Sequence, residues 1–204
     1  MSCGTPFRNE FPLDDEGRCG LCRQGLRGFD KAYCYGEYDG PLRELIHLFK
    51  YRGMKPIGTR LAKYLPSALP TDLNIDVVVP VPLDWRKQWK RGFNQAEVLA
   101  AHVARRRGWK LTRALRRSRS VEHQASLSNT QRRLNVERAF RAKGRVDGLR
   151  VLLVDDVMTT GATARACALA LKRAGAKSVT LLTLARVDRR LAAPSGKTYM
   201  GSSD

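Results

Sequence analysis

The sequence predicts an α/β fold: a parallel sheet flanked by helices, with a small Cys-rich module in front of it. Three observations carry this. Arg150–Val154 and Ser178–Ala185 are apolar runs of strand length, and the Ala-rich segment Ala162–Ala174 between them repeats its apolar residues at helical spacing. That order is the strand, helix, strand of a βαβ crossover. Ile75–Val81 is a further apolar, β-branched run, and such runs without polar alternation mark strands buried on both faces. Four of the five cysteines, Cys3, Cys19, Cys22 and Cys34, fall in the first 34 residues.

From the N-terminus, Met1 to Lys31 is rich in Gly, Cys and charge with little periodicity, a module too short to hold a core without a metal or neighbours. Cys19-Gly-Leu-Cys22 is a C-x₂-C knuckle, the spacing of one half of a zinc site. Tyr33–Tyr38 reads as a strand. Pro41–Tyr51 reads as an amphipathic helix, with Leu42, Leu45, Ile46 and Phe49 on one face, and Ile57–Leu65 as another. Pro66–Asp72 is a loop, and Ile75–Val81 is the strand ended by Pro80 and Pro82. Leu83–Gly92 is basic, carrying Arg86, Lys87, Lys90 and Arg91. Asn94–Arg107 is a helix with Ala96, Leu99, Ala100 and Val103 on its apolar face. Arg116–Asn135 is polar, basic and aperiodic, the pattern of a mobile loop. Gly175 stands where the cap of the Ala162–Ala174 helix belongs. Cys167 falls within that helix and reads as packed, and Asp188–Asp204 reads as a frayed tail.

Composition narrows the class. The chain of 204 residues suits one α/β domain plus a small module. No apolar run approaches the ~20 residues of a membrane span, and the first residues lack a basic-then-apolar leader, so the expected compartment is the cytoplasm. There zinc is a better expectation for the cysteines than disulfides. The net charge is +19, concentrated in Arg105–Arg145, where fourteen Lys/Arg face only Glu122 and Glu137. Such a field attracts polyanions, whether nucleic acid or polyphosphate. Aromatic stacking platforms are not evident in that stretch, which holds only Trp109 and Phe140.

Val151–Thr163, VLLVDDVMTTGAT, is the segment richest in chemistry. A buried strand delivers Asp155 and Asp156, a loop Val157–Thr163 follows, and a helix begins near Ala162. Ligands of open α/β sheets sit beyond the carboxyl ends of the strands. The N–H groups and dipole of a helix N-terminus suit a phosphate there. Gly161 permits close backbone approach, and Thr159, Thr160 and Thr163 add hydroxyl donors. Asp155 and Asp156, ionised, can accept from two vicinal ribose hydroxyls or hold Mg²⁺. No Gly-Lys-Ser/Thr follows the glycine, which excludes a Walker phosphate loop.

The thirteen-residue stretch resembles the phosphoribosyl-pyrophosphate (PRPP) motif of type I phosphoribosyltransferases. Four further pieces, Gly40–His47 (GPLRELIH), Phe49–Gly53 (FKYRG), Val79–Leu83 (VPVPL) and Arg91–Gln95 (RGFNQ), stand in an order similar to that of the ComF family, phosphoribosyltransferase-like proteins linked to DNA uptake in competent bacteria. The resemblance runs from about Cys3 to Arg186. It implies a type I phosphoribosyltransferase-like, Rossmann-type sheet over residues 32–187, with a zinc-ribbon-like module at 1–31 and a tail at 188–204. Family zinc modules hold two C-x₂-C pairs, so the resemblance implies that Cys3 has lost a partner just upstream of Met1. The alternatives are Cys34 as fourth ligand, or a site that holds no metal.

The resemblance also implies chemistry: substitution at C1 of PRPP with pyrophosphate leaving. Asp155 and Asp156 would orient the ribose, and Thr159, Thr160, Gly161, Ala162 and Thr163 would cradle the 5′-phosphate. Mg²⁺ would bridge pyrophosphate and ribose oxygens. Arg86, Arg91 and Asn94 would meet pyrophosphate after the Val77–Val79 strand. The basic stretch Arg116–Arg133 would be a closing flap, with Gln124 and Arg133 as contacts. Purine-salvage enzymes carry an aspartate where this chain has Thr159, and the loop is more like those of orotate- and amido-type transferases. The acceptor stays open, and no nucleophile or dedicated base stands out. Two other readings remain: an accessory protein that handles single-stranded DNA on the same fold, and a PRPP-sensing regulator.

Overall fold

A computed structural model describes residues 28–51, 54–117 and 139–187. Its centre is a five-stranded, wholly parallel sheet in the order β1 (Lys31–Glu37), β7 (Ser178–Arg186), β6 (Arg150–Met158), β2 (Val77–Pro80), β3 (Lys110–Leu111). Every residue of β2 is buried, as is every residue of β7 after Ser178. This is why both strands are apolar without alternation: helices or a hairpin cover each face.

The two faces are covered unequally. Val78, Leu152, Val154, Leu182 and Leu184 pack against α1 (Gly40–Tyr51), α2 (Lys55–Ala62), a 3₁₀ turn (Leu65–Ala68) and α4 (Gln95–Arg107). On the other face Val77, Val79, Val151, Leu153, Val179 and Leu181 meet α5 (Ala162–Arg173) and a small antiparallel hairpin, β4 (Leu115–Arg117) with β5 (Phe140–Ala142). The alanines of α5 let it lie close to the sheet, with Ala166, Cys167, Ala168 and Leu171 fully inside. It ends at Gly175, whose φ of +89° is open to glycine, and the Ala176 N–H returns to the Leu171 carbonyl at 3.1 Å.

The amino edge of the sheet is pinned by ion pairs. Arg150 grips Asp76 with Nε to Oδ2 at 3.0 Å and Nη2 to Oδ1 at 2.6 Å, and its own N–H donates to Oδ2 at 2.8 Å. Asp30 takes the Val179 N–H at 2.7 Å and the Lys172 ammonium at 2.8 Å. These contacts register the strands at one end and leave the carboxyl end for a ligand.

The structure corrects several expected boundaries. β6 runs on through Met158, so both acids lie inside the strand, and the loop shrinks to Thr159–Gly161. Leu83–Gly92 contains a helix, α3 (Trp85–Arg91), which buries none of its residues and so gives no apolar periodicity. The helix expected over Ile57–Leu65 stops at Ala62, and the loop expected from Pro66 opens with the 3₁₀ turn. Arg116 and Arg117 belong to β4 rather than to a loop, while 118–135 lie outside the described residues. Among the described residues, no helix is long and apolar enough to cross a membrane.

Candidate functional site

The site stands at the carboxyl end of β6. Successive residues of a strand point to opposite faces, so Asp155 follows Val151 and Leu153 toward α5, and Asp156 follows Leu152 and Val154 toward α1. The adjacent acids therefore flank the strand end rather than share a face. The Asp156 N–H donates to Asp155 Oδ1 at 2.9 Å. On the far side Lys50, in the last turn of α1, places its Nζ 3.1 Å from Asp156 Oδ1, and both side chains are largely buried.

The two acids differ electrostatically. Burial, and after it the negative charge of Asp156, pushes the Asp155 carboxyl up to about 7; the Asp156 N–H and Lys50 oppose the rise without cancelling it. Asp155 is therefore the acid of the pair that holds its proton more tightly than an ordinary aspartate. Cys167 lies in the field of Asp155, and its thiol is raised first by burial and then by that charge. It is packing, not a nucleophile.

Beyond the acids the chain turns within three residues into α5. Gly161 makes this possible: it is buried, is the N-cap, and has φ +76°, a left-handed conformation that disfavours side chains. Thr159, Thr160, Ala162 and Thr163 are exposed around it. The Ala162 N–H donates to Thr160 Oγ1 at 3.2 Å and the Arg165 N–H to the Gly161 carbonyl at 2.8 Å. A turn of exposed hydroxyls and main-chain donors at a helix start is a phosphate-sized cradle.

The residues expected after β2 separate into different roles. Arg91 lies beside the end of α1: its guanidinium is 5.0 Å from the ring centre of Tyr51, the chain neighbour of Lys50, and its Nη1 donates to Gln95 Oε1 at 3.0 Å. Asn94 uses both ends of its amide on structure. Oδ1 caps α4 by accepting from the Ala96 N–H at 3.0 Å, and Nδ2 donates to the Val81 carbonyl at 2.9 Å. Arg86 is exposed on α3 and lies over Trp85, with no contact to the acids. Gln124 and Arg133 lie outside the described residues, as do Cys3, Cys19 and Cys22. Cys34 sits half-buried in β1, where its thiol donates to the Gly36 carbonyl at 3.1 Å.

Two side chains of this edge carry no expectation from sequence. Lys50 is one; its only signal is a cation at the end of an amphipathic helix, on a turn whose partner strand lies far away in the chain. Gln95 is the other: it is buried, its Oε1 is fixed by Arg91, and its Nε2 has no hydrogen-bond partner among the described residues.

Comparison with known proteins agrees with this geometry. Residues 72–204 match the phosphoribosyl transferase domain family. The chain is 35% identical over 176 residues to DNA utilization protein YhgH of Salmonella typhimurium, covering 82% of this chain and 77% of that protein. It is 33% identical over 181 residues to competence protein F of Haemophilus influenzae, covering 82% and 78%. Among solved structures it is similar to the glutamine PRPP amidotransferase from B. subtilis complexed with ADP and GMP, with a TM-score of 0.44 and 26% identity, over 65% of this chain and 26% of that one. The family match over residues 72–204 and the relatives at 35% and 33% identity show the family: the chain belongs to the ComF family of phosphoribosyltransferase-fold proteins.

Proposed function

We propose that this protein binds PRPP across the carboxyl end of β6 and transfers its phosphoribosyl group to an acceptor that brings its own nucleophile. The observation that carries the reading is the pair Asp155 and Asp156 delivered by a buried strand that ends at Met158, with three residues between it and the start of α5 at Ala162. The Thr159–Thr163 turn holds the 5′-phosphate, and the acids hold the ribose hydroxyls with the ligand astride the strand end. Arg91, steadied by Gln95 and Tyr51, faces the departing pyrophosphate. The C1–oxygen bond to pyrophosphate breaks with its electron pair leaving on oxygen, and the bond from the acceptor to C1 forms. The protein's task is to orient the sugar and to stabilise the charge that separates.

Mg²⁺ belongs to the same reading. The two carboxylates are the hard oxygen donors it favours. Asp155 and Asp156 would hold it together with the ligand's own oxygens. When bound, it neutralises pyrophosphate. The zinc expectation at Cys3, Cys19, Cys22 and Cys34 rests on the sequence and the resemblance, as does cytoplasmic placement. Elemental analysis of the purified chain tests zinc: about one equivalent per chain is expected, and a metal-free protein removes it.

Calorimetry with PRPP and Mg²⁺ tests the site: binding is expected, and Asp155→Asn with Asp156→Asn should abolish it. Unchanged binding in that double variant overturns the site. Pyrophosphate release across a panel of bases and amines then tests transfer. A second reading, handling of single-stranded DNA on the same fold, is favoured by the +19 charge and by relatives named for DNA utilization and competence.

A further inference from the structure

We propose that α3 is a docking face for single-stranded nucleic acid, with Trp89 and Trp85 as stacking platforms and Lys87 and Lys90 as phosphate contacts. The proposal rests on the second reading above and gives it a place on the molecule.

Helices of globular proteins hold their position by burying an apolar stripe. α3 buries nothing. It is fixed from its ends instead: Asp84 caps it by accepting the Arg86 N–H at 3.1 Å, and Gly92, at φ +75°, closes it with its N–H on the Gln88 carbonyl at 2.7 Å. Arg91 is tied to Gln95, and Asp84 Oδ2 lies 3.7 Å from Arg117 Nε. A short helix capped at both ends with no face toward the core presents its side chains outward.

Those side chains are unusual for a solvated surface. Trp89 is 88% exposed and Trp85 57%, whereas tryptophan is normally well buried. Four residues apart, they stand on the same side of the helix, about 5–6 Å between Cβ atoms. Four of the remaining five residues, Arg86, Lys87, Lys90 and Arg91, are cations, and α3 holds no acid. Arg86 already lies 5.3 Å from the ring centre of Trp85. Aromatic faces interleaved with cations are what an unpaired strand requires: bases stack, and phosphates meet Lys and Arg. The basic stretch Arg105–Arg145 lacks the aromatic half of this combination. α3 supplies it next to β4, through the contact of Asp84 with Arg117.

Other polyanions fit less well. Duplex DNA keeps its bases stacked away from a tryptophan face. An interfacial membrane helix needs a continuous apolar side, and α3 has no Leu, Ile, Val, Met or Phe.

The experiment uses the full chain and a labelled oligothymidylate of about 30 nucleotides, long enough for several site sizes, followed by anisotropy at several salt concentrations. Wild type is expected to bind with a steep salt dependence. Trp89→Ala should weaken binding about tenfold or more with the salt slope unchanged, since loss of stacking removes no phosphate contact. Lys87→Ala with Lys90→Ala should lower the slope of log affinity against log salt by about 1.4. Both variants should keep wild-type PRPP binding. Trp89→Ala binding the oligonucleotide like wild type overturns the docking face and leaves the DNA reading standing. Wild type failing to bind at low salt removes both. Tryptophan fluorescence that responds to anionic phosphatidylglycerol vesicles but not to the oligonucleotide overturns it in favour of a membrane surface.

Discussion

Lys50 Nζ lies 3.1 Å from Asp156 Oδ1, so the second acid of the strand end has a cation partner from a different element before any ligand arrives. The pair joins the last turn of α1 to the end of β6, and both side chains are largely shielded from water. Removing one partner of such a pair leaves the other charged, buried and unsatisfied, which costs more than the pair contributes. Lys50→Met is therefore expected to lower stability by about 2–4 kcal/mol. Adding Asp156→Asn should recover most of that loss, because no orphan charge remains. Urea titrations of the two single variants and the double variant give the coupling directly; simple additivity would show that the contact carries no energy.

Asp155 predicts a pH dependence of opposite sign to the usual carboxylate. An ordinary aspartate titrates near 3.8, and in the folded chain Asp155 is raised to about 7. Between those values the folded protein holds a proton that the unfolded chain has released. Its stabilising contribution is complete below about pH 4 and is lost as pH rises through 7. Asp155→Asn cannot lose that proton. The variant should gain on wild type steadily between pH 4 and 7 and be the more stable protein above 7, while binding PRPP poorly. Thermal melts across that range check the trend; parallel curves would show that Asp155 is not held above its ordinary value. The same titration predicts that PRPP binding strengthens toward pH 8, as Asp155 becomes a full acceptor for a ribose hydroxyl.

The opposite case stands at the other edge of the sheet. Hydrogen bonds from the Arg150 side chain, and then from its backbone N–H, hold Asp76 down to about 2. A lowered carboxyl stabilises the fold above its unfolded value, and that contribution disappears as pH falls through 2. Asp76→Asn should remove the part of the acid transition that lies between pH 4 and 2. The pair is partly exposed, so added salt should shrink the wild-type advantage. Acid titrations followed by circular dichroism at low and high salt measure both effects; a wild-type advantage that salt leaves intact would show that the geometry, not the charge, of this contact matters.

Legibility in the sequence followed burial. The crossover β6–α5–β7 and strand β2 were readable because strands covered on both faces need continuous apolar runs, and α5 repeats its small residues at helical spacing. Asp155, Asp156 and the Gly161 turn were readable for the same reason, being attached to such a strand. α3 buries nothing and left only a string of cations and tryptophans. β3, β4 and β5 have two or three residues each, too few to show a period. Asn94 reads as a pyrophosphate ligand or as a helix cap, because a polar side chain after a strand serves equally as either; only the placement of Val81 and Ala96 shows the capping role. Lys50 is hidden in the sequence because its partner lies on β6, with three helices (α2, α3 and α4) and four strands (β2 to β5) between them in the chain.

Gly161 joins the fold to the proposed chemistry most directly. At φ +76° it lets β6 enter α5 within three residues, and a side chain there pays about 1–2 kcal/mol of backbone strain. Gly161→Ala should lower stability by roughly that amount. Its effect on PRPP should be larger than the stability loss accounts for, because the new methyl group would stand in the turn where main-chain donors approach the 5′-phosphate. Thr160→Ala separates the two consequences. It removes a hydroxyl that accepts the Ala162 N–H at 3.2 Å but leaves the backbone path open, so it should weaken PRPP binding less than Gly161→Ala does. Calorimetry on both variants, each checked for folding by its urea midpoint, ranks them. If Gly161→Ala folds and binds PRPP like wild type, the phosphate lies elsewhere than the start of α5.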